Sequence, residues 1–551
     1  MKFGAPNTYQ VVAKRSSLLY RGFPTRSMSK TKSGLHRRQH PPTEVGDTAD
    51  RKAALRVNFE LRTLNSDLFC YAVKRMGETQ MAPFRWRIVI ALTFLVGSTL
   101  AAPLNLVFIL TDNHGAWTLG CYGNKEIRTP HIDKLAAEGM LFTRAYCNNS
   151  VCSPSRATFL TGLLPSQHGV HAYIPQASQT GPKAYSVIRE FRTLPQILSE
   201  QGYVCGLSGK WHLGDNLHPQ QGFSYWFTKE GGHTTTFYHD DMIWQEKIYK
   251  EPRYTTDAIT EHGLEFIEQN HQKPFFLYLA YNGPYGLGKV VQEEHRNRHT
   301  AEYARQSMDS FPREKVNPWL KANRFAVGNV TSMRSYAAAV SGVDDGVGRI
   351  MEKLRALGLD QNTLVVFSAD QGLNAGHGGY WGMGDHSRPI NTQEATIRIP
   401  WIFRHSGVIA PGKTSELMVQ NHDFLPTVLE YLGLKEKTPS SPPLPGHSFE
   451  PALRGRQVPW ENLVYHDFEN TRMIRSPKWK LTLRYPYGPD ELYDMENDPL
   501  ERENLFYAGQ QREVKVELEK KLKAYFARYA DPKYDRWKGG ATKGTEILRE
   551  N

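Results

Sequence analysis

The sequence predicts an α/β protein: a mainly parallel sheet sandwiched by helices, followed by a smaller C-terminal antiparallel sheet plus helix. Three observations carry this. Short, continuous apolar runs recur from Leu104 onward, as expected of strands buried on both faces. Amphipathic stretches that stop at glycine lie between them, the alternation that builds a sheet covered by helices. Finally, the Pro- and Ser-rich stretch Thr438–Pro445 interrupts the pattern, and closely spaced strand signals follow it.

In chain order, strands are expected at Leu104–Leu110, Tyr203–Leu207, Phe275–Ala280, Leu364–Phe367 and Ile399–Phe403. Helices are expected at Leu194–Gln201 before Gly202, at Thr256–Gln269, and at Tyr336–Leu357 before Gly358, glycine serving as the stop. Beyond the boundary, Leu463–Asp467, Thr471–Arg475 and Trp479–Arg484 read as short strands and Gln511–Phe526 as a closing helix. The expected organisation is a catalytic α/β domain over 103–445, a small α+β subdomain over 446–535 and a flexible tail over 536–551. Core packing is favoured over stacking on sugar rings for the aromatic residues of Trp226–Trp244 and for Trp381.

Charge is concentrated at the front. Residues 1–102 hold 17 Lys and Arg against 6 Asp and Glu, a net +11 of the chain's formal +12, so the remainder is nearly neutral. That distribution argues against a nucleic-acid partner and for a basic leader. From Met81 a positive stretch, the apolar run Ile88–Leu100 and the small residues Ala101 and Ala102 read as a signal peptide over 81–102, too short for a stable membrane span. A periplasmic or secreted location follows as the expectation. Residues 1–80 are expected to lie upstream of the working start, or to form a disordered or organelle-targeting extension. The five cysteines include no Cys-x-x-Cys pair, so a zinc ribbon has no ligand set; one disulfide or simply buried thiols both fit.

The loops after the strands carry the chemistry. Thr111-Asp112-Asn113-His114-Gly115 follows the first, Gly209-Lys210-Trp211-His212-Leu213-Gly214 the second, and Asp370-Gln371-Gly372 the fourth. Ligands of open α/β sheets bind at the carboxyl ends of strands, so these loops are expected to meet. Asp112, Asn113, Asp370 and Gln371 offer hard oxygen donors suited to Ca²⁺ or Mg²⁺ rather than zinc. Read alone, Cys152 is a weak hint of a reactive thiol, with a buried structural thiol as the alternative.

Cys152-Ser153-Pro154-Ser155-Arg156, continued to Gly162, resembles the signature of the type I sulfatases, a branch of the alkaline phosphatase superfamily. The loops above and the stretch Arg128–Asp133 stand in that family's order across about residues 104–505. The resemblance implies that Cys152 is oxidised to formylglycine by a formylglycine-generating enzyme. The hydrated aldehyde would offer one hydroxyl to attack sulfate and a second to expel it. It further implies one divalent cation, Ca²⁺ in preference to Mg²⁺, at Asp112, Asn113, Cys152, Asp370 and Gln371. Arg156, Lys210 and His212 would hold the hydrated aldehyde and neutralise the sulfate of a sulfated small molecule or glycan.

Two departures concern the substrate side. Tyr285 stands in Asn282-Gly283-Pro284-Tyr285 where the family pattern has a histidine, and Met383 stands where it has a lysine. Tyr285, His377 and His386 are therefore the candidate substrate-binding groups, with Asp385 and Arg388 nearby. Two other readings stay open: a phosphodiester or phosphonate monoester hydrolase of the same superfamily, and a catalytically inactive binding protein that keeps the fold.

Overall fold

A computed structural model of the chain describes residues 103–293 and 296–548. The leader, signal-peptide and start-site expectations for residues 1–102 lie outside the described residues. The large sheet has ten strands: β1 Asn105–Asp112, β2 Met140–Phe142, β3 Val204–Gly209, β4 Tyr225–Lys229, β5 Asp240–Trp244, β6 Lys247–Glu251, β7 Phe275–Pro284, β8 Thr363–Ala369, β9 Trp401–Arg404 and β10 Lys413–Ser415. Their order is β10-β2-β9-β8-β1-β7-β3-β4-β5-β6. The central run β8-β1-β7-β3-β4 is parallel, while β9 runs antiparallel to β8 and the pairs β4-β5 and β5-β6 are antiparallel ribbons.

Alternation along β1 explains the two-sided burial. Leu106, Phe108 and Leu110 enter one core and Val107 and Ile109 the other, all fully buried. The main helices are α1 Pro130–Ala137, α2 Cys152–Thr161, α3 Leu194–Glu200, α4 Thr255–Asn270, α5 Val330–Ala356 and α6 Phe424–Tyr431. Helix α3 begins in a capping box, Thr193 accepting from Gln196 N and Gln196 accepting from Thr193 N. Helix α5 starts earlier than the apolar periodicity indicates, because the Asn329 side chain accepts the Ser332 N–H and caps it. Helix α1 has a tertiary cap: Asp344, halfway along α5, accepts the N–H groups of His131 and Ile132 at 3.0 and 2.7 Å.

The strands that periodicity missed are short or peripheral. β2 is three residues long, and β5 and β6, at the sheet edge, mix charged and apolar residues without a period of two. Trp381 is fully buried and Trp226 nearly so, in keeping with core packing.

The C-terminal layer is a four-stranded antiparallel sheet, β11 Val464–Phe468, β12 Thr471–Arg475, β13 Trp479–Arg484 and β14 Glu491–Asp494, covered by α7 Arg512–Tyr529. Leu481, Leu492, Leu522 and Phe526 form its own core. Its other face is shared: Val464 and Met473 belong to one core of the large sheet and Phe468 to the other. Residues 536–548, expected as a flexible tail, are instead packed on the domain. Lys543 N donates to Gly169 O at 2.7 Å, Thr545 N to Tyr173 O at 2.9 Å, and Ile547 is buried. The sequence shows no periodicity there because, beyond the single helical turn Arg536–Lys538, the segment pairs through isolated backbone contacts. Among the described residues four cysteines are present and all are free, and no helix is long and apolar enough to cross a membrane.

Candidate active site

Four adjacent central strands, β8, β1, β7 and β3, deliver their carboxyl ends to one spot. β1 ends in Asp112 and leads to Asn113; β8 leads to Asp370 and Gln371; β3 leads to Lys210 and His212; β7 leads to Tyr285, whose N–H donates to Asp112 O at 3.1 Å. Helix α2 points its first residue, Cys152, at the same spot, with Val151 as its extended cap. Three of the loop residues, Asn113, His212 and Tyr285, hold left-handed backbone conformations with φ of 55°, 57° and 42°. Bulky side chains rarely tolerate that region, and such strain is retained where it aims a side chain. Gly209, at φ 117°, is required for a different reason: a Cβ there would meet Ala280 O at 1.8 Å.

The polar groups interlock. Cys152 Sγ lies 3.3 Å from Asp112 Oδ1 and accepts from Gln371 Nε2 at 3.2 Å. Gln371 Nε2 also donates to Asn113 Oδ1 at 2.8 Å, and Asn113 Nδ2 donates to Asp112 Oδ1 at 2.7 Å. Arg156 binds Asp370 Oδ2 through Nε and Nη2 at 3.0 and 2.8 Å, lies 3.4 Å from Asp112 Oδ2, and donates Nη1 to Lys210 O at 2.6 Å. Lys210 Nζ pairs with Asp112 Oδ2. Every one of these side chains is buried. Two cations facing two carboxylates compensate the desolvation that isolated charges could not bear. Ser155, which donates to Asp370 O and accepts from Asn421 Nδ2 at 3.0 Å, and Tyr336, which donates to Asn113 O at 2.7 Å, brace the two loops from behind.

Burial, and after it the Asp112 carboxylate, pushes the Cys152 thiol well above its ordinary range. An unmodified Cys152 would therefore be a neutral thiol and a poor nucleophile. Burial, with Asp112 next, raises the Asp370 carboxyl above its ordinary range.

The residues fit a hard divalent cation. Ligand atoms of Asp112, Cys152 and Asp370 lie within 4.8 Å of one another, and Gln371 Oε1 is buried without a hydrogen-bond donor, an acceptor facing no partner. A carbonyl oxygen in that state beside two carboxylates suits Ca²⁺ or Mg²⁺.

A cleft of about 560 Å³ adjoins this cluster, lined among others by Tyr285, His233, Met383, Asp385, His386 and Arg388. Tyr285 OH is 3.1 Å from His233 Nδ1, and Lys210 Nζ sits 5.2 Å from the Tyr285 ring centroid. Burial, then Cys152 and Asp112, raises the Tyr285 phenol well above its usual value; burial, then Lys210, lowers His233 to about 4. His212 is buried with both ring nitrogens unpartnered, its ring 5.6 Å from that of His233, and burial followed by Lys210 holds it neutral. Gly232 makes room for it, since a Cβ there would lie 2.0 Å from His212 Nε2. Met383 Sδ is 3.6 Å from Gln371 Nε2, so the thioether stands beside the Asp370–Gly372 loop.

Of the two histidines expected on the substrate side, His386 lines the cleft, Asn323 Nδ2 donating to its Nδ1 at 2.9 Å. His377 does not. Its ring packs edge-on against Trp117, centroids 4.9 Å apart, and its Nδ1 accepts Ala375 N–H, because the left-handed turn at Gly376 and Gly378 directs it away from the cleft-lining residues. His233 is the group that motif reading missed. It follows β4 in Gly231-Gly232-His233, and its contact with Tyr285 is tertiary, so no local motif marked it.

Comparisons with known proteins agree with this geometry. A family model described as Sulfatase matches residues 104–434, and one described as N-sulphoglucosamine sulphohydrolase, C-terminal, matches 386–528. An N-acetylglucosamine-6-O-sulfatase of Bacteroides thetaiotaomicron is 28% identical over 81% of this chain and 90% of its own. An N-acetylgalactosamine-6-sulfatase of Mus musculus is 30% identical over 69% of this chain and 72% of its own. A protein solved in complex with its substrate D-glucosamine-2-N,6-O-disulfate superposes with a TM-score of 0.63 at 26% identity, covering 79% of this chain and 99% of that one. A phosphonate monoester hydrolase of Agrobacterium radiobacter shares the fold, with a TM-score of 0.57 at 18% identity over 78% of this chain and 96% of that one. Fold and site thus define a sulfuric ester hydrolase. The chain belongs to the sulfatase family of the alkaline phosphatase superfamily.

Proposed function

We propose that the protein hydrolyses sulfate esters of a sulfated carbohydrate, with a nucleophile made by oxidising Cys152 to formylglycine and with one Ca²⁺ held by Asp112, Asn113, Asp370 and Gln371. The observation that carries this reading is the placement of Cys152 at the first turn of α2, within contact of both metal loops and flanked by Arg156 and Lys210. Hydrated formylglycine would supply two geminal hydroxyls: one would attack sulfur as its proton passes to the neighbouring Asp112 carboxylate, and the other would give its proton to the neutral His212 as the aldehyde C=O re-forms and the C–O bond to sulfate breaks; a bound cation would supply positive charge beside these oxygens. Arg156 fixes the orientation of both carboxylates through its fork of donors. Lys210 and a neutral His212 face the place where charge gathers on the sulfate oxygens, and preorganised donors of this kind are worth about 3–4 kcal/mol each. Tyr285 is the donor next to the leaving oxygen: as the S–O bond breaks, its phenolic proton passes to the departing alcohol, and His233 Nδ1–H and the Lys210 charge stabilise the phenolate left behind.

The relatives named for amino-sugar 6-sulfates make such sugars the first substrates to test. The signal-like stretch 81–102 supports export to the periplasm or cell exterior. Protein made beside a formylglycine-generating enzyme is expected to show the aldehyde in the peptide containing Cys152 by mass spectrometry. It is expected to prefer aryl and sugar sulfates over an aryl phosphate diester and an aryl phosphonate monoester, with Cys152→Ala folded and inert. Finding only thiol at 152 in such protein would remove the catalytic reading; a preference for phosphorus would move it to the phosphonate and phosphodiester hydrolases.

A further inference from the structure

The nucleophile cluster is buried, so a sulfate held there leaves its alcohol in the adjoining cleft, and whatever builds the cleft wall selects the alcohol. Part of that wall comes from the far end of the chain. After α7, residues 531–548 return across the segment 166–173 that follows the nucleophile helix. Asp531 N donates to Ser166 O at 2.9 Å, the His171 imidazole meets Tyr534 O at 2.8 Å, Lys543 N donates to Gly169 O at 2.7 Å, and Thr545 N donates to Tyr173 O at 2.9 Å. Two glycines exist for this contact: a Cβ on Gly169 would lie 2.6 Å from the Tyr534 ring, and one on Gly544 would lie 2.6 Å from Ala172 O. Lys543 Nζ adds a bond to Val187 O at 2.8 Å.

The run ends at the site. Ile547 lines the cleft beside Tyr173, Tyr285, Leu287, Val290 and Met383. Its N–H donates to Glu469 Oε1 at 3.1 Å and its carbonyl accepts from Arg388 Nη2 at 3.1 Å. Arg388 lines the same cleft, and its Nε is buried without an acceptor. Residues 531–548 lie outside both stretches matched by the family models, which end at 434 and 528.

We infer that residues 531–548 form a fixed strap that sets which alcohol the enzyme accepts: Ile547 is the apolar stop against one face of the sugar, and its carbonyl holds Arg388 in place at the cleft. This rests on the sulfatase reading above and adds a specificity residue to it. Ile547 is a positioning and selecting group, remote from the sulfate itself.

The test uses full-length enzyme matured with formylglycine and three substrates: a sulfated monosaccharide, a sulfated disaccharide and a small aryl sulfate. Ile547→Trp, which fills the cleft, is expected to raise KM for the monosaccharide about tenfold or more while kcat stays within about threefold, the signature of lost ground-state fit. Ile547→Ala, which removes the stop, is expected to raise the disaccharide-to-monosaccharide ratio of kcat/KM about fivefold or more in the soluble variant. The aryl sulfate is expected to move less than either sugar in both variants. Soluble Ile547→Ala whose three kcat/KM values all stay within about twofold of wild type, or all shift by the same factor, overturns the inference. A wild-type enzyme that hydrolyses none of the three sulfates instead defeats the function proposed above, so the two failures are distinct.

Discussion

Tyr285 is one of two substrate-side residues that depart from the family pattern the sequence resembles. The raised pKa keeps the buried Tyr285 phenol protonated and able to donate, which a sugar alkoxide needs and an aryl leaving group does not. Tyr285→Phe is therefore expected to lower kcat on a sulfated sugar about 10²-fold and on an activated aryl sulfate less than about tenfold, read from a leaving-group series. Asn113 offers a second lever. It donates to Asp112 Oδ1, so Asn113→Asp places two carboxylates side by side. The expected outcome is a lower melting temperature in chelator and a larger rise on adding Ca²⁺, with the half-saturating concentration falling about tenfold, because affinity follows the charge of the ligand set. Most of the candidate site was legible residue by residue, since Cys152, Arg156, Lys210 and the two acidic loops sit in short contiguous motifs. His233 was not: its role arises from a tertiary hydrogen bond to Tyr285, and one histidine after two glycines carries no local mark of that.

At the scale of elements, strands continuous in apolar residues and helices ended by glycine were readable, while β2, β5 and β6 were too short or too polar for their periodicity to show. Caps explain the helix starts that periodicity missed. The cap on α1 is borrowed from α5, and it is titratable: burial, against the opposing pull of the Ile132 and His131 N–H groups, raises Asp344 from 3.8 to about 7. A folded value above the unfolded one means that the protonated side chain favours the fold. Its contribution is full below about pH 4 and is lost as pH rises through about 7. Asp344→Asn keeps the Oδ1 acceptor that serves both N–H groups and removes the titration. Its melting temperature relative to wild type is expected to climb between pH 5 and pH 8, measured by scanning calorimetry; Asp344→Ala, which also removes the titration, is expected to show the same climb from a level about 1–3 kcal/mol lower, because two helix N–H groups lose their acceptor.

For the molecule as a whole, the Pro- and Ser-rich boundary marks a change of architecture. The cores nevertheless continue across it, through Val464 and Met473 on one side and Phe468 on the other. Polar contacts follow the same seam: Ser166 N donates to Asp467 Oδ2 at 2.8 Å, Asn149 Nδ2 to Asp467 O at 2.9 Å, and Arg484 Nη2 to Ile390 O at 2.7 Å. Residues 103–548 are thus expected to unfold in one calorimetric transition, and a chain cut after Pro445 is expected to be insoluble or to lack a cooperative melt. The boundary residues announce the change of architecture in sequence; the shared core does not show there, because it depends on which faces of two sheets meet.

The burial of Cys152 also imposes an order of events on biosynthesis. The thiol has no exposed surface, and Gln371, which closes over it, lies 219 residues further along the chain. Strand β8, which must pair with β1 to bring that loop into position, is translated last of the four central strands. At roughly 5–20 residues per second, about 10–40 s separate the emergence of Cys152 from the closure of the sheet over it. Under the formylglycine reading proposed above, a maturing enzyme would reach the cysteine in that interval and lose it afterwards, and long-range parallel pairing would act as a clock that keeps Cys152 open while the rest of the chain is made.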